Sequence, residues 1–230
     1  NLLEKKINFS YETVNKTFDG RQINIIIYLS IVPGYEEDLS KVLVSIIDIT
    51  DLKKAEEELR KKNLLQEKVV ALGRELAALL DISAIYRTAE RYLKTMVDCP
   101  DYAIIRYDAE KKILIPSYIS TEGRTIDPAS FSPIKYEFDT PERGYAKAIE
   151  SKSPVIMTDL TEEAEKNIWS LISNNRLRKS IIDIPILAED RVLGLIELQS
   201  SLENAYSEEV GNWLSVVASQ IGLAIQNANL

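Results

Sequence analysis

The chain has no histidine in 230 residues, and that absence excludes more chemistry than any residue present supplies. Without histidine there is no Ser-His-Asp or Cys-His nucleophile, and the commonest protein ligand for zinc, haem iron and copper is missing. A single cysteine, Cys99, allows no internal disulfide, which fits a reducing compartment such as the cytoplasm. No apolar run is long enough to span a bilayer and no signal peptide precedes the first strand-like segment, so no membrane insertion is expected. Neither Gly-x-Gly-x-x-Gly nor Gly-Lys-Ser/Thr occurs, so no loop is built to cradle phosphates. The net charge of −8 argues against nucleic acid and anionic membrane surfaces as partners. Adjacent carboxylates do occur, at Glu36-Glu37, Glu162-Glu163 and Glu208-Glu209. Neighbours in sequence point apart on a helix or strand, so these read as solvated faces or first-turn acids rather than catalytic pairs. No catalytic residue, cofactor or metal is required by the sequence. The opening without Met suggests a piece of something longer.

What is there begins with three strand-like runs. Residues 7–14 and 23–30 alternate apolar and polar positions, and Lys41 to Asp48 is almost continuously apolar. Asp19-Gly20 is a hairpin turn signal and Pro33-Gly34 marks the next loop. The runs predict an antiparallel three-strand meander, which is little to stand alone. Asp48-Ile49-Thr50 then leads into a helix. This order, with Asp-Gly-Arg between two strands and Asp-x-Thr after the last, resembles the C-terminal half of a PAS domain over residues 1–50. The resemblance implies that Asp48 and Thr50 couple the last strand to the outgoing helix. It also implies that the strands building much of a PAS ligand pocket are missing from this segment.

Residues 51–80 contain no proline and read as one linker helix, about 45 Å long at about 1.5 Å per residue. Glu56, Glu57 and Glu58 each precede Arg60, Lys61 or Lys62 by four positions, the favourable order for helix ion pairs. Leu65, Val69, Leu72, Leu76 and Leu79 step by four, three, four and three, which is a coiled-coil rhythm. Upstream the rhythm meets Lys62, so the seam shifts phase there.

Residues 81–230 carry the strongest pattern. Asp81 and Ser83 are caps for a helix from Ser83 to about Val97. Strands are expected at 102–107 and 113–120, then a short helix from Gly144 leading into Pro154-Val155-Ile156-Met157. A hairpin follows from Ser180-Ile181-Ile182-Asp183-Ile184-Pro185-Ile186-Leu187 and Arg191 to Leu198, and the last helix begins near Ser207. Strands with alternate apolar residues, covered by helices on one face, make a two-layer α+β domain. Gly144 with Ser153-Pro154-Val155, Ile184-Pro185-Ile186 with Gly194-Leu195, and Ala224-Ile225-Gln226-Asn227-Ala228 together resemble the GAF domain family over about 150 residues. The turn Ala188-Glu189-Asp190 departs from the family, where many members carry glycine. The expected fold class is therefore α+β, a GAF-like antiparallel sheet with flanking helices, preceded by a long linker helix and a small antiparallel β meander.

The resemblance implies a pocket for a small-molecule ligand. The Asn-Lys…Phe…Asp-Glu pattern of the cyclic-nucleotide binders is absent. Cys99 is followed by Pro100 rather than His, unlike the bilin-binding members, and one cysteine does not suffice for the members that reduce methionine sulfoxide. Tyr118, Phe138, Met157, Trp169 and Ile184 lie on segments that flank the family's cavity, with a helix over Glu162–Asn174 as its lid; each could equally be core. No basic neighbour activates Cys99.

In the last helix Val210, Leu214, Val217, Ile221, Ala224 and Ala228 step as an uninterrupted heptad, while Trp213, Val216 and Ile225 lie off it. Together with Leu65 to Leu79 this predicts a homodimer through a parallel four-helix bundle, and charges placed at Leu214 and Ile221 are expected to give a folded monomer. The function implied is a sensory, non-enzymatic module of a signal-transduction protein, as in two-component sensors, acting on an output domain such as a kinase outside this chain. The alternatives are a ligand-free dimerisation spacer and a haem or redox sensor.

Overall fold

The alternating runs at the N-terminus pair as expected. In a computed structural model that describes residues 8–37, 40–135, 144–158 and 178–229, β1 (Asn8–Lys16), β2 (Gln22–Ile31) and β3 (Val42–Asp48) form an antiparallel meander in that order. Lys16 pairs with Gln22, so the first turn is a five-residue loop. Gly20 takes φ +86° in it, a left-handed conformation that glycine adopts without steric cost, and its N–H donates to the Thr17 carbonyl at 2.9 Å. The third strand is apolar yet exposed along its whole length. At its end Asp48 accepts from the Thr50 N–H at 2.8 Å, and Thr50 Oγ1 accepts from the Asn24 N–H at 2.9 Å. The Ile49 N–H also donates to the Asn24 carbonyl at 2.8 Å, so strand β2 and the start of the helix share one hydrogen-bonded joint. The bonds from Thr50 hold the Asp48 carboxyl below its ordinary range.

That helix, α1, runs from Thr50 to Ala77. The expected four-residue ion pairs do not form among the described residues of its middle; Arg60 instead grips Glu57 with two 2.8 Å bonds at a spacing of three. The chain divides into two compact units at Leu65/Gln66, so the segment 51–80 is shared between them rather than standing as a separate body.

In the second unit α1 ends on the apolar residues Leu72 and Leu76, both buried. Asp81 then caps α2 (Ile82–Leu93), its carboxylate accepting from the N–H groups of Ser83 and Ala84 at 3.2 and 2.9 Å. The sheet comprises β4 (Asp101–Asp108), β5 (Ile113–Thr121), β6 (Arg124–Ile126), β7 (Ile134–Lys135), β8 (Val155–Met157), β9 (Ser180–Ala188) and β10 (Arg191–Ser200). Its order is β6-β5-β4-β10-β9-β8 with β7 on β5, and every pairing is antiparallel. Glu189 occupies the β9–β10 turn at φ +54°, the position for which the sequence lacks a glycine.

Strand parity sorts the core into two parts. Ile182, Ile184, Ile186, Ile196, Leu198, Tyr102 and Ile104 face α2, the end of α1 and the last helix, α4 (Glu208–Ala228). Ala103, Ile105 and Leu195 face the other way, onto α3 (Gly144–Ser151) through Tyr145, Ala146, Ala148 and Ile149. Helices thus cover both faces of the sheet, not one. The fold is α+β with an antiparallel sheet and flanking helices.

The heptad residues turn inward. Leu72, Leu76, Leu214, Val217, Ile221 and Ala224 are buried in this chain's own core, and Val69, Leu79, Val210 and Ala228 pack against the same cluster. Leu65, at the end of the first unit, is half-buried. A stripe at three-and-four spacing serves whichever apolar surface lies nearest, and here that surface is the chain's own sheet. Gly222 lets α4 lie flush: a Cβ there would stand 2.2 Å from the Leu187 carbonyl oxygen. The large apolar residues that α4 leaves exposed are off the seam, Val216 and Leu223.

Candidate functional site

A strand buried on both faces should be apolar throughout, because each desolvated polar group must find a partner. Strands β9 and β10 are buried on both faces and break that rule at Asp183, Glu197 and Gln199. All three sit on the α3 face. Asp183 is directly opposite Glu197, and Gln199 is directly opposite Asp101 on β4. Gln199 Nε2 donates to Glu197 Oε1 at 2.5 Å, and Thr121 Oγ1 donates to Asp101 Oδ1 at 2.5 Å. Arg178, just ahead of β9, forms a buried ion pair with Asp101. The other Asp183 oxygen lies where a Cβ on Gly144 would stand, beside the Met157 methyl, so the start of α3 closes directly over the cluster.

The charges do not balance. Three carboxyls face one guanidinium, and Arg178 is taken by Asp101. Burial raises the Asp183 carboxyl well above its ordinary range, and the Glu197 charge raises it further. Burial likewise raises Glu197, while its bonds to Gln199 and Asp183 hold it down. The two carboxyls therefore hold a shared proton to a higher pH than free carboxyls do. Asp183 Oδ1 and Arg178 Nε have no hydrogen-bond partner among the described residues, while Asp101 Oδ2 and Arg178 Nη2 face each other in the ion pair. A void of about 10 Å³, the size of one water, lies between Asp101, Ala103, Ile119, Glu197 and Gln199. No three ligating side chains are gathered to hold a metal ion among the described residues.

Of the expected pocket residues, Met157 lies at this site, beside Gly144 and Asp183. Tyr118 and Ile184 do not: both point to the opposite face. Ile184 shares the parity of Ile182 and Ile186. Tyr118 packs against Tyr102 and Tyr86, with ring centroids 5.8 and 6.2 Å away, and donates to Glu90 Oε2 at 2.6 Å. An irregularity in the β4–β5 register at Ile104/Ile105 sits next to the Tyr118 pair. Phe138, Trp169 and the helix expected over 162–174 lie outside the described residues. Cys99 is buried, and burial pushes its thiol up to about 12, which leaves no thiolate at neutral pH. The cluster itself went unread in the sequence, although a charged residue inside Ile-Ile-Asp-Ile-Pro-Ile and Leu-Ile-Glu-Leu-Gln marks it.

The GAF domain family model matches residues 80–226, more than half of the chain and close to the expected 81–230. No curated protein matches. Similar solved structures include the GAF domain of a phosphoenolpyruvate-protein phosphotransferase from Coxiella burnetii, at 14% identity, 72% of this chain and 94% of that one, and TM-score 0.57. Residues 122 to 287 of a methyl-accepting chemotaxis protein align at 13% identity, over 69% and 96% of the two chains, with TM-score 0.55. Free methionine-R-sulfoxide reductase from Neisseria meningitidis, in complex with its substrate, aligns at 17% identity over 73% and 91%, also at 0.55. At such identities the likeness is one of fold. On the family match, the chain belongs to the GAF domain family.

Proposed function

We propose that the chain is a sensory, non-enzymatic module of a signal-transduction protein, receiving a small molecule at the carboxylate cluster and relaying the change through its first and last helices to an output domain. The observation that carries this reading is the buried carboxyl pair of Asp183 and Glu197, which no cation among the described residues neutralises and in which Asp183 Oδ1 has no hydrogen-bond partner. Orphaned groups of this kind are destabilising, and a ligand donating hydrogen bonds or positive charge to Asp183 and Glu197 would satisfy them. The solved reductase of the same fold is complexed with its substrate, so the fold admits small molecules. The buried Cys99 thiol argues against the same chemistry here and against a redox sensor. The meander of residues 8–48 is read as the C-terminal part of a PAS domain and α1 as the helix that carries its signal. No helix among the described residues is long and apolar enough to cross a membrane. The sensor is read as cytoplasmic on its single free cysteine, which suits a reducing compartment.

A second reading, a ligand-free structural spacer, draws support from the size of the void, which takes one water. In either reading a homodimer would pair the outer face of α4, at Val216 and Leu223, because the heptad residues are already buried. Native mass spectrometry of the purified chain tests both. A dimer carrying a retained small molecule, lost together with Asp183→Asn and Glu197→Gln, is the expected result. A dimer without one supports the spacer. A monomer, or a mass unchanged by Val216→Lys with Leu223→Lys, would remove the pairing.

A further inference from the structure

A larger cavity among the described residues of the second unit lies away from the carboxylate cluster. It lies on the opposite face of the sheet, between the first turn of α2, the last turn of α4 and the ends of β4, β9 and β10, and holds about 190 Å³. Its body is apolar, lined by Ile82, Ile104, Ile186 and Ile225. The local backbone explains why no side chain fills it. The β9–β10 register slips between Val192 and Gly194, so Leu193 falls out of step with the strand. At Gly194 a Cβ would stand 2.3 Å from the Ile105 carbonyl oxygen, which keeps that position bare. For comparison, an apolar cavity of roughly 150 Å³ stays dry and takes up benzene.

Two polar groups converge on the same space. Tyr86 is buried, and its hydroxyl makes no hydrogen bond among the described residues. Arg106 is exposed, lines the cavity, and has no ion-pair partner among the described residues. Both groups line the cavity, and while burial raises the Tyr86 hydroxyl the Arg106 charge opposes that rise. An apolar chamber lined by a cation and a hydroxyl donor is complementary to one class of molecule.

We propose that this cavity is a second small-molecule site, for a compact apolar monocarboxylate, aromatic or branched aliphatic, with its hydrocarbon between Ile104, Ile186 and Ile225 and its carboxylate on Arg106 and Tyr86. The volume excludes nucleotides, bilins and haem, because drug-sized ligand pockets begin at roughly 300 Å³. The ligand would touch Ile225 and Asn229, in and just after the final turn of α4, and so would brace the end of that helix. This site is independent of the carboxylate cluster and takes a ligand of opposite charge.

The test is titration of the full chain with benzoate, followed by amide resonances in a two-dimensional nitrogen-15 spectrum. Saturable shifts at Tyr86, Arg106, Ile225 and Asn229, with residues 183 and 197 unmoved, are expected. Arg106→Gln, at an exposed position that the fold tolerates, should weaken benzoate about tenfold, the effect of one charge-assisted contact. The same variant should leave benzyl alcohol, which lacks the charge, within about twofold. Leu193→Phe, which fills the chamber, should abolish both. Benzoate binding that ignores Arg106→Gln, shifts confined to the α3 face, or no saturable shift would each overturn the proposal.

Discussion

Replacing Asp183 by asparagine isolates the cost of the unbalanced cluster. Asparagine has the shape of a protonated aspartic acid, and its Nδ2 can give Glu197 the hydrogen bond that the shared proton gives now. A carboxyl whose folded pKa is raised stabilises the fold only while protonated. Its contribution is complete below the unfolded value near 3.9 and is lost as the pH climbs through the folded value. The wild-type chain should therefore lose stability as the pH rises above about 4, and Asp183→Asn should not. A carboxyl that titrates one pH unit higher in the folded chain than in the unfolded one loses about 1.4 kcal/mol over that interval. Because Asp183 is fully buried and faces a second carboxyl, a gain of at least about 1.4 kcal/mol, the linkage of one pH unit, is expected for the variant at pH 8. In a domain of this size that raises Tm by at least about 3 °C. At about pH 3, below the unfolded value, the two proteins should melt within about 2 °C of each other. The assay is circular dichroism at 222 nm, melted at four pH values. A variant destabilised at pH 8 relative to the wild type would mean that Asp183 is ionised and held by a cation, and the proton-sharing account would fail.

Two further outcomes follow from the packing. Leu214→Lys places a charge in the core, where the sequence alone suggests a dimer seam; the expected result is a loss of about 4 kcal/mol or more and of near-ultraviolet dichroism, not a folded monomer. A folded variant of altered mass would restore the seam. Gly222→Ala gains about 1 kcal/mol of helix propensity but drives a methyl into the Leu187 carbonyl, an overpacking cost of about 1–3 kcal/mol. Urea titration should show a net loss of up to about 2 kcal/mol, and a more stable variant would mean that α4 stands off the sheet.

The fold was legible because its signals are local. Asp81 caps α2, the Asp19-Gly20 pair sits in the first turn, and Gly144 opens the short helix before β8. The destination of an apolar stripe is not local. The spacing of Val210, Leu214, Val217 and Ile221 is the same for a helix on its own sheet and for one on a partner, so periodicity cannot choose between them. The candidate site was hidden for a related reason. Asp183, Glu197 and Asp101 are separated by up to 96 positions along the chain and come together only through the β4–β10–β9 register. Aromatic residues drew attention to Tyr118, but strand parity places its ring on the other face, with Glu90. A single acid in an otherwise apolar strand was the signal that mattered.

The two glycines on the inner side of α4 limit how the helix can move. Gly211 lies against Pro154 and Gly222 against Leu187, eleven residues or about three turns apart and so on one side of the cylinder. They act as two keys in two notches. Turning α4 about its axis would bring Ile221 or Leu223 to the place where Gly222 now admits the strand backbone. Sliding it by less than a full turn would lift Gly222 off Leu187. Rotation and small translations are therefore blocked, and β9 and α4 share one set of mechanical degrees of freedom. Whatever displaces β9, through Asp183 on one face or Ile186 on the other, carries the helix with it as a rigid rod.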